Sequence, residues 1–434
     1  MINLKNKIRI AFLPMITAAV LLASCNKDVK QFDIPAPAAQ TGISLDSTLR
    51  ATANDSLYYL LIKKASLGPT NYINLLKATT VTNQYTVFVP DNNAMKLFIN
   101  AISGGLVPLA APDAVFAGFI NSANIPVASA VGIVSYNIVP QVYDTASISS
   151  DFPNMQVGTL IQLAPTTAPF ITATTFPSKR PGILRVNNIP MTSPLNVRAY
   201  NGIIHHVATV VGPPQRVIWE RLNTDNDLTI FKAAIARADS GTAAPGTIVG
   251  ALQTGPANLT VFAPTNLAMK QFISAATGGL IPVAAPDANF IGFLGSNLIT
   301  TQLVKGIVVY HLFDDRSGTL SPVVVRKRPG RVFTPNLLTG PNSYFTVLNS
   351  ADSVGVSFPP VIITATFTGA FVSAATIKGN ANPTPSNLLI NVTYTPDISP
   401  TYGTTPVNVN YAGTNDQQYV NGVLHKIDQV LRPL

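Results

Sequence analysis

A chain that repeats itself at one fixed spacing must fold the repeat twice. Val87-Phe88-Val89-Pro90 returns as Val261-Phe262-Ala263-Pro264, Gly104-Gly105-Leu106-Val107-Pro108 as Gly278-Gly279-Leu280-Ile281-Pro282, and Tyr136 as Tyr310, each pair 174 residues apart. Three separate segments held at one offset mark a tandem duplication. The period is far longer than a solenoid repeat and fits a whole domain. The functional question is what one unit does and why two are joined.

The N-terminus bounds the compartment. Lys5, Lys7 and Arg9 precede an apolar run from Ile10 to Leu22 that contains Pro14 and is too short for a stable bilayer-spanning helix. Residues 1–24 are expected to form an export signal. They lead into Leu22-Ala23-Ser24-Cys25, which resembles a bacterial lipobox. The resemblance implies cleavage before Cys25, a diacylglycerol on its thiol and acylation of the new amino group, with palmitate-type chains. Cys25 is the only cysteine, so no intramolecular disulfide can form. Each buried methylene contributes about 0.8 kcal/mol, so several acyl chains give lasting attachment to a membrane. Residues 25–44 read as a flexible spacer, with Pro35 and Pro37 in an Ala-rich setting. Asn26 rather than Asp follows the cysteine, which by resemblance to lipoprotein sorting implies the outer membrane. The expected localisation is an outer-membrane lipoprotein, cell-surface exposed or facing the periplasm.

Composition narrows the class. The 434 residues suffice for two domains with separate cores, 47% are hydrophobic and only 11% charged, a strand-rich extracellular balance. Net charge is +9, and loss of the three signal-peptide cations leaves about +6. The basic residues are mostly scattered, without aromatic interleaving, which argues against nucleic acid as a partner. A lone glutamate, Glu220, rules out a Glu–Glu glycosidase pair. There is no Gly-x-Ser-x-Gly, His-Glu-x-x-His, Cys-x-x-Cys or phosphate-loop motif.

Both copies run through one order of elements. Leu57, Leu60 and Leu61 share a helical face, with Asp55 the expected cap, and Asp227 to Ile235 matches it. The β-type runs Tyr85 to Val89 and Leu259 to Ala263 each stop at a proline. Asp91 and Thr265 are expected N-caps of helices whose Met95 and Phe98, or Met269 and Phe272, face the core. Ile133 to Asn137 and Ile307 to His311 read as strands. Asn201-Gly202 and Asn421-Gly422 signal hairpins that lead into a closing strand.

These residues carry a family resemblance. A Thr-Val-Phe-x-Pro box runs on into Asn-x-Ala-Met at Thr86 to Met95 and Thr260 to Met269. A Tyr-His pair follows at Tyr310-His311, then a closing box that opens Asn-Gly-x-x-His, at Asn201 to Val211 and Asn421 to Leu431. In that order, twice, they are similar to the fasciclin (FAS1) domain family. Asn137 stands where the family has His. The resemblance implies an α+β fold of two tandem FAS1-like units, each a wedge-like β-sandwich with helices packed at one edge. It also implies adhesion or matrix contact without catalysis and, with the lipobox, a Bacteroidetes-type surface lipoprotein. The expected domains are 45–214 and 225–434, joined by a linker at 215–224.

The copies differ in length. Tyr136 to Asn201 spans 65 residues and Tyr310 to Asn421 spans 111, so copy two holds about 46 more, within about 314–416. Val361 to Phe367 and Leu388 to Tyr394 read as added antiparallel strands there. This β-rich insertion is where a ligand surface particular to copy two is expected, or a hairpin that only packs on the sandwich.

No cofactor and no metal site is expected. His205 and His425 occupy equivalent positions in separate copies and read as buried imidazoles bonded to backbone, a structural motif with Asn201, Gly202, Asn421 and Gly422. Candidate binding residues are Tyr310 and His311, where adjacent strand positions would leave at most one exposed. The echoed basic turns are further candidates: Lys179 and Arg180 in one copy, Arg326, Lys327, Arg328 and Arg331 in the other. The expected function is a non-catalytic cell-surface binding protein contacting extracellular glycan, matrix or a partner protein. The alternative is a structural accessory docked in an outer-membrane assembly of the glycan-uptake type.

Overall fold

Copy one opens with α1 (Leu45–Ala51), a 3-10 turn (Ala53–Asp55), α2 (Ser56–Ala65) and α3 (Tyr72–Lys77). Then come β1 (Tyr85–Pro90), α4 (Asn92–Ile102), α5 (Asp113–Asn121), α6 (Val127–Tyr136) and β2 (Ile138–Val139). Six strands finish it: β3 (Val157–Ala164), β4 (Ile171–Thr175), β5 (Pro177–Lys179), β6 (Leu184–Val186), β7 (Ile189–Ala199) and β8 (Gly202–Val207). Copy two repeats the order with α7 (Ile218–Thr224), α8 (Thr229–Ala238), α9 (Ile248–Gln253), β9 (Leu259–Pro264), α10 (Asn266–Ala276), α11 (Asp287–Gly295), α12 (Thr301–Tyr310) and β10 (Leu312–Asp314). It continues through β11 (Gly318–Thr319), β12 (Val325–Arg326), β13 (Gly340–Tyr344), β14 (Val361–Thr368), β15 (Phe371–Lys378) and β16 (Ser386–Asn387) to β17 (Gln417–Tyr419) and β18 (Gly422–Ile427). This computed structural model describes residues 42–77, 84–150, 154–164, 171–179, 182–214, 216–243, 246–254, 258–314, 318–319, 325–326, 331–348, 359–368, 371–390 and 415–433. The expected export signal, Cys25 and nearly all of the expected spacer lie outside them. The fold is α+β.

The same three-strand motif sits at the centre of each copy. β1 pairs antiparallel with β2 and parallel with β8, and β9 pairs the same way with β10 and β18. Every residue of β1, β8, β9 and β18 is buried, as parallel strands covered on both faces must be. Side chains alternate across the strand, so one strand feeds two cores. Val87 and Val89 pack among Leu57, Leu61, Phe116 and Val134 of the helices, while Phe88 packs among Tyr136, Val157, Val186 and Val207 on the other face. In copy two Val261 and Ala263 join the helical cluster, and Phe262 meets Tyr310, Phe313, Val361 and Ile377. The insertion therefore builds part of the second core. Its strands form a sheet in the order β13-β14-β15-β16, and Leu388 bridges to Ile427 of β18. The expected strand at Val361 to Phe367 is β14. Of Leu388 to Tyr394, residues 391–394 lie outside the described residues.

Caps form where the sequence places them, with one exception. The Asp91 side chain accepts from Ala94 N–H at 2.8 Å and Thr265 from Ala268 N–H at 3.2 Å. Asp55 is not a cap. Its carboxylate turns away to His206. The two Tyr-containing runs are also not strands. They are the ten-residue helices α6 and α12, ending at Tyr136 and Tyr310. Their β-branched residues pack on α2 and α8, and tertiary burial overrides β-propensity. Residues 215–224, expected as a linker, contain α7, whose Ile218 and Leu222 lie in the copy-two core just as Leu45 and Leu49 of α1 lie in that of copy one.

A buried seam joins the copies, and all described residues belong to one compact unit, Gly42–Leu434. Phe176 of copy one packs with Phe333 and Val423 of copy two. Around it, Asn154 Nδ2 donates to Asn336 Oδ1 at 2.7 Å, and Asn336 Nδ2 donates to Ser178 Oγ at 2.8 Å. Gln418 Nε2 donates to the Tyr136 hydroxyl at 2.6 Å, and Asn187 Nδ2 donates to Gln418 Oε1 at 3.0 Å.

Candidate binding site

The histidines are all buried, and their partners define their charge. His205 accepts from Asn196 N–H at Nδ1 and donates from Nε2 to the Tyr143 carbonyl at 2.7 Å; His425 does the same with Asp416 N–H and the Val332 carbonyl at 2.8 Å. Each therefore holds one proton, and burial pushes both below the ordinary imidazole value. His311 donates from Nδ1 to Ile307 O and accepts from Leu431 N–H at Nε2, and burial pushes it down to about 4. Asn137 occupies its place in copy one, where Nδ2 donates to the carbonyls of Ile133 and Val211. One amide thus does the bolting that the imidazole does in the other copy.

His206 differs. Both ring nitrogens face acceptors, Pro194 O at 2.9 Å and Asp55 Oδ1 at 3.0 Å, an arrangement that the doubly protonated ring satisfies. Burial alone would push it down, but the Asp55 hydrogen bond, the Pro194 carbonyl and the charges of Asp55 and Asp91 outweigh it and raise the value. The same position in copy two is Lys426, paired with Asp225 at 2.8 Å and Asp227 at 3.1 Å.

The expected binding residues separate. Tyr310 is buried, its hydroxyl donating to Pro359 O at 3.0 Å, and His311 beside it is buried too, because a helix end rather than a strand carries the pair. Neither is a surface contact. Arg331 is also withdrawn. Its guanidinium donates to Asn258 Oδ1 and to the carbonyls of Tyr419 and Val420, and it lies over the Phe176 ring at 5.1 Å. A planar cation with five donors fits a site lined by carbonyls and an aromatic face, which is why this arginine left the turn for the seam. Lys179 is exposed at the end of β5, and Arg326 belongs to β12. Arg180, Lys327 and Arg328 lie outside the described residues. Among the described residues no group of three or more His, Cys, Asp or Glu could hold a metal, and no helix is long and apolar enough to cross a membrane.

Two clamps use the echoed boxes. Asn201 accepts from Leu45 N–H and donates to Leu76 O, and Asn421 accepts from Ile218 N–H and donates to Leu252 O, so each hairpin ties down the first helix of its copy. Asn92 and Asn266 each accept from the N–H of a helix start, Leu57 or Ile230, and donate to Asp113 or Asp287. Lys96 and Lys270 complete the pairs at 2.5 and 2.6 Å. The second clamp escapes a motif search. Its signal was the repeated Asn-x-Ala-Met-Lys followed by Ala-Pro-Asp.

An open cleft of about 390 Å³ lies between α10, the loop at Thr384 in the insertion and the segment after β18. Leu267, Gln271 and Phe272 form one wall, and Asp428, Gln429 and Arg432 the other. The Arg432 guanidinium sits over the Phe272 ring at 5.3 Å. Copy one carries Asn93, Leu97 and Phe98 at the matching helix positions, and Ala208, Thr209 and Gly212 after its closing strand. The cleft's chemistry thus belongs to copy two, next to its extra strands.

Each copy also exposes an apolar loop tip. Leu106 is 86% and Leu280 71% exposed, each after a Gly-Gly pair whose positive φ values of 62° and 82°, or 62° and 84°, need glycine.

No family model matches this chain, and no curated protein does. Among solved structures it is similar to a FAS1 domain pair from the insect cell adhesion molecule fasciclin I. Identity is 14%, over 87% of this chain and 96% of that one, with a TM-score of 0.29.

Proposed function

We propose that this protein is a non-catalytic binding lipoprotein, two fasciclin-type sandwich units at 45–214 and 225–434 held at the outer membrane through Cys25, and that copy two carries the ligand site. The observation that supports the reading is the Arg432 cleft. Outside it, the histidines and the buried Arg331 are committed to backbone and seam bonds. In the cleft, a cation and several amide and hydroxyl groups face an open space of ligand size. The seam fixes the two copies together, so the ligand surface stands at a set place on a rigid pair. Retention of the full chain, solubilised in detergent, on an array of glycans and matrix proteins tests this. Binding to one chemical class is expected, and failure to bind any class overturns it.

A second reading, an accessory docked in an outer-membrane assembly, is favoured by the exposed Leu106 and Leu280 tips. Loops that hold a leucine in solvent suit burial against a partner protein. Recovery of a stoichiometric partner from detergent-solubilised membranes, lost on Leu106→Ser with Leu280→Ser, supports that reading.

A further inference from the structure

We infer that the cleft beside the insertion binds a carboxylate-bearing sugar, with Arg432 as the anion receptor. The inference rests on the proposal that copy two carries the ligand site and adds the ligand's chemistry. Arg432 is held from both sides. Its backbone N–H donates to Asn382 Oδ1 at 2.7 Å, its carbonyl accepts from Ala381 N–H at 3.1 Å, and Phe272 underlies its guanidinium. The group is placed before any ligand arrives, which lowers the ordering cost of binding. Its Nε is buried without a hydrogen-bond partner. The side-chain carboxylate nearest in sequence, Asp428, is already occupied by Ser386 Oγ, Asn387 N–H and Asn387 Nδ2 at 3.1, 2.7 and 2.6 Å. The terminal Nη pair of a guanidinium that lines a cleft matches a carboxylate in geometry as well as charge.

The rest of the lining selects for a hydroxyl-bearing body. Gln271 is exposed on α10, and Thr384 and Gln429 offer a hydroxyl and an amide that bond weakly to each other at 3.3–3.4 Å. These groups both donate and accept, as ring hydroxyls require. The cleft volume admits one or two pyranose rings. Copy one, with Gly212 and Leu97 at the matching places, has no such receptor.

Titration calorimetry of the full chain in detergent, with digalacturonate and its methyl ester as probes, tests this. The acid should bind, and the ester should bind at least tenfold more weakly, about 1.4 kcal/mol. Arg432→Gln should lose at least tenfold with an unchanged melting temperature, and Arg432→Lys should recover part of the loss. If Arg432→Gln does not fold, Gln271→Ala on the exposed helix face should still weaken the acid severalfold. Equal binding of acid and ester, no binding of the acid, or a short peptide binding as tightly through its C-terminal carboxylate would each overturn the sugar assignment. Array retention that survives Arg432→Gln would overturn it while leaving the binding role intact.

Discussion

At the scale of single residues, the duplication supplies its own controls. His206 and Lys426 close the same junction between the end of a closing strand and the turn before a helix, one with a titratable cation and one with a lasting one. A histidine whose folded value is raised contributes stability that is complete below its ordinary value of 6.5 and is lost as pH rises through the folded value. His205, His311 and His425 have lowered values and act in the opposite sense: their contribution is present above 6.5 and is lost as pH falls, towards about 4 for His311. The difference between wild type and His206→Lys isolates the first effect. Urea midpoints should show the variant gaining on wild type as pH rises from 6 to 9. A constant difference across that range would show that His206 is not charged in the fold. Arg331 teaches another lesson at this scale. As part of a basic Pro-Gly turn its sequence signal was exposure, yet its guanidinium is buried in the seam because carbonyls and Phe176 from distant segments meet it there.

Elements reveal why the Asn-Gly boxes recur. A Cβ on Gly202 would stand 2.1 Å from the Tyr85 carbonyl oxygen, and one on Gly422 2.3 Å from that of Leu259. The closing strand begins only because the backbone of the first strand can pass that close. Gly422→Ala should destabilise the chain by at least about 3 kcal/mol in denaturant titration, since rigid backbone must move. A loss within 1 kcal/mol would mean that the hairpin has slack. Pattern reading gave β1, β9, the caps at Asp91 and Thr265, and the strand in the insertion, because each is a local preference. It failed at α6 and α12, whose valine- and isoleucine-rich sequences favour strands in isolation and become helices by packing on α2 and α8. It also failed at α7, too short for periodicity to separate from a linker.

The whole molecule behaves as a joined pair, with Phe176 at the seam. Phe176→Ala removes a ring that packs on Phe333 and lies beneath Arg331, a core truncation of about 3–5 kcal/mol. Calorimetry of the wild type should show one unfolding transition, and the variant should resolve into two as the copies uncouple. Two transitions already in the wild type would refute the rigid seam. Coupling of this kind fixes the distance between the Leu106 and Leu280 tips and between each tip and the cleft.

Sequence by itself determined the duplication, the strand and following helix at each Thr-Val-Phe box, the Asn-Gly hairpin turns and the place of an added strand. Those are short-range facts: a proline that ends a strand, an oxygen that caps a helix, an Asn-Gly pair that turns the chain. Tertiary structure alone decided which histidine is pushed towards its charged form, where Arg331 lies and that a cleft exists. The cleft is assembled from residues of 267–272, 384 and 428–432, brought together only when β18 returns beside β9 and Thr384 of the insertion reaches the same cleft as α10. Burial and the geometry of partners set charge and access, and both are properties of segments far apart in the chain that no local pattern encodes.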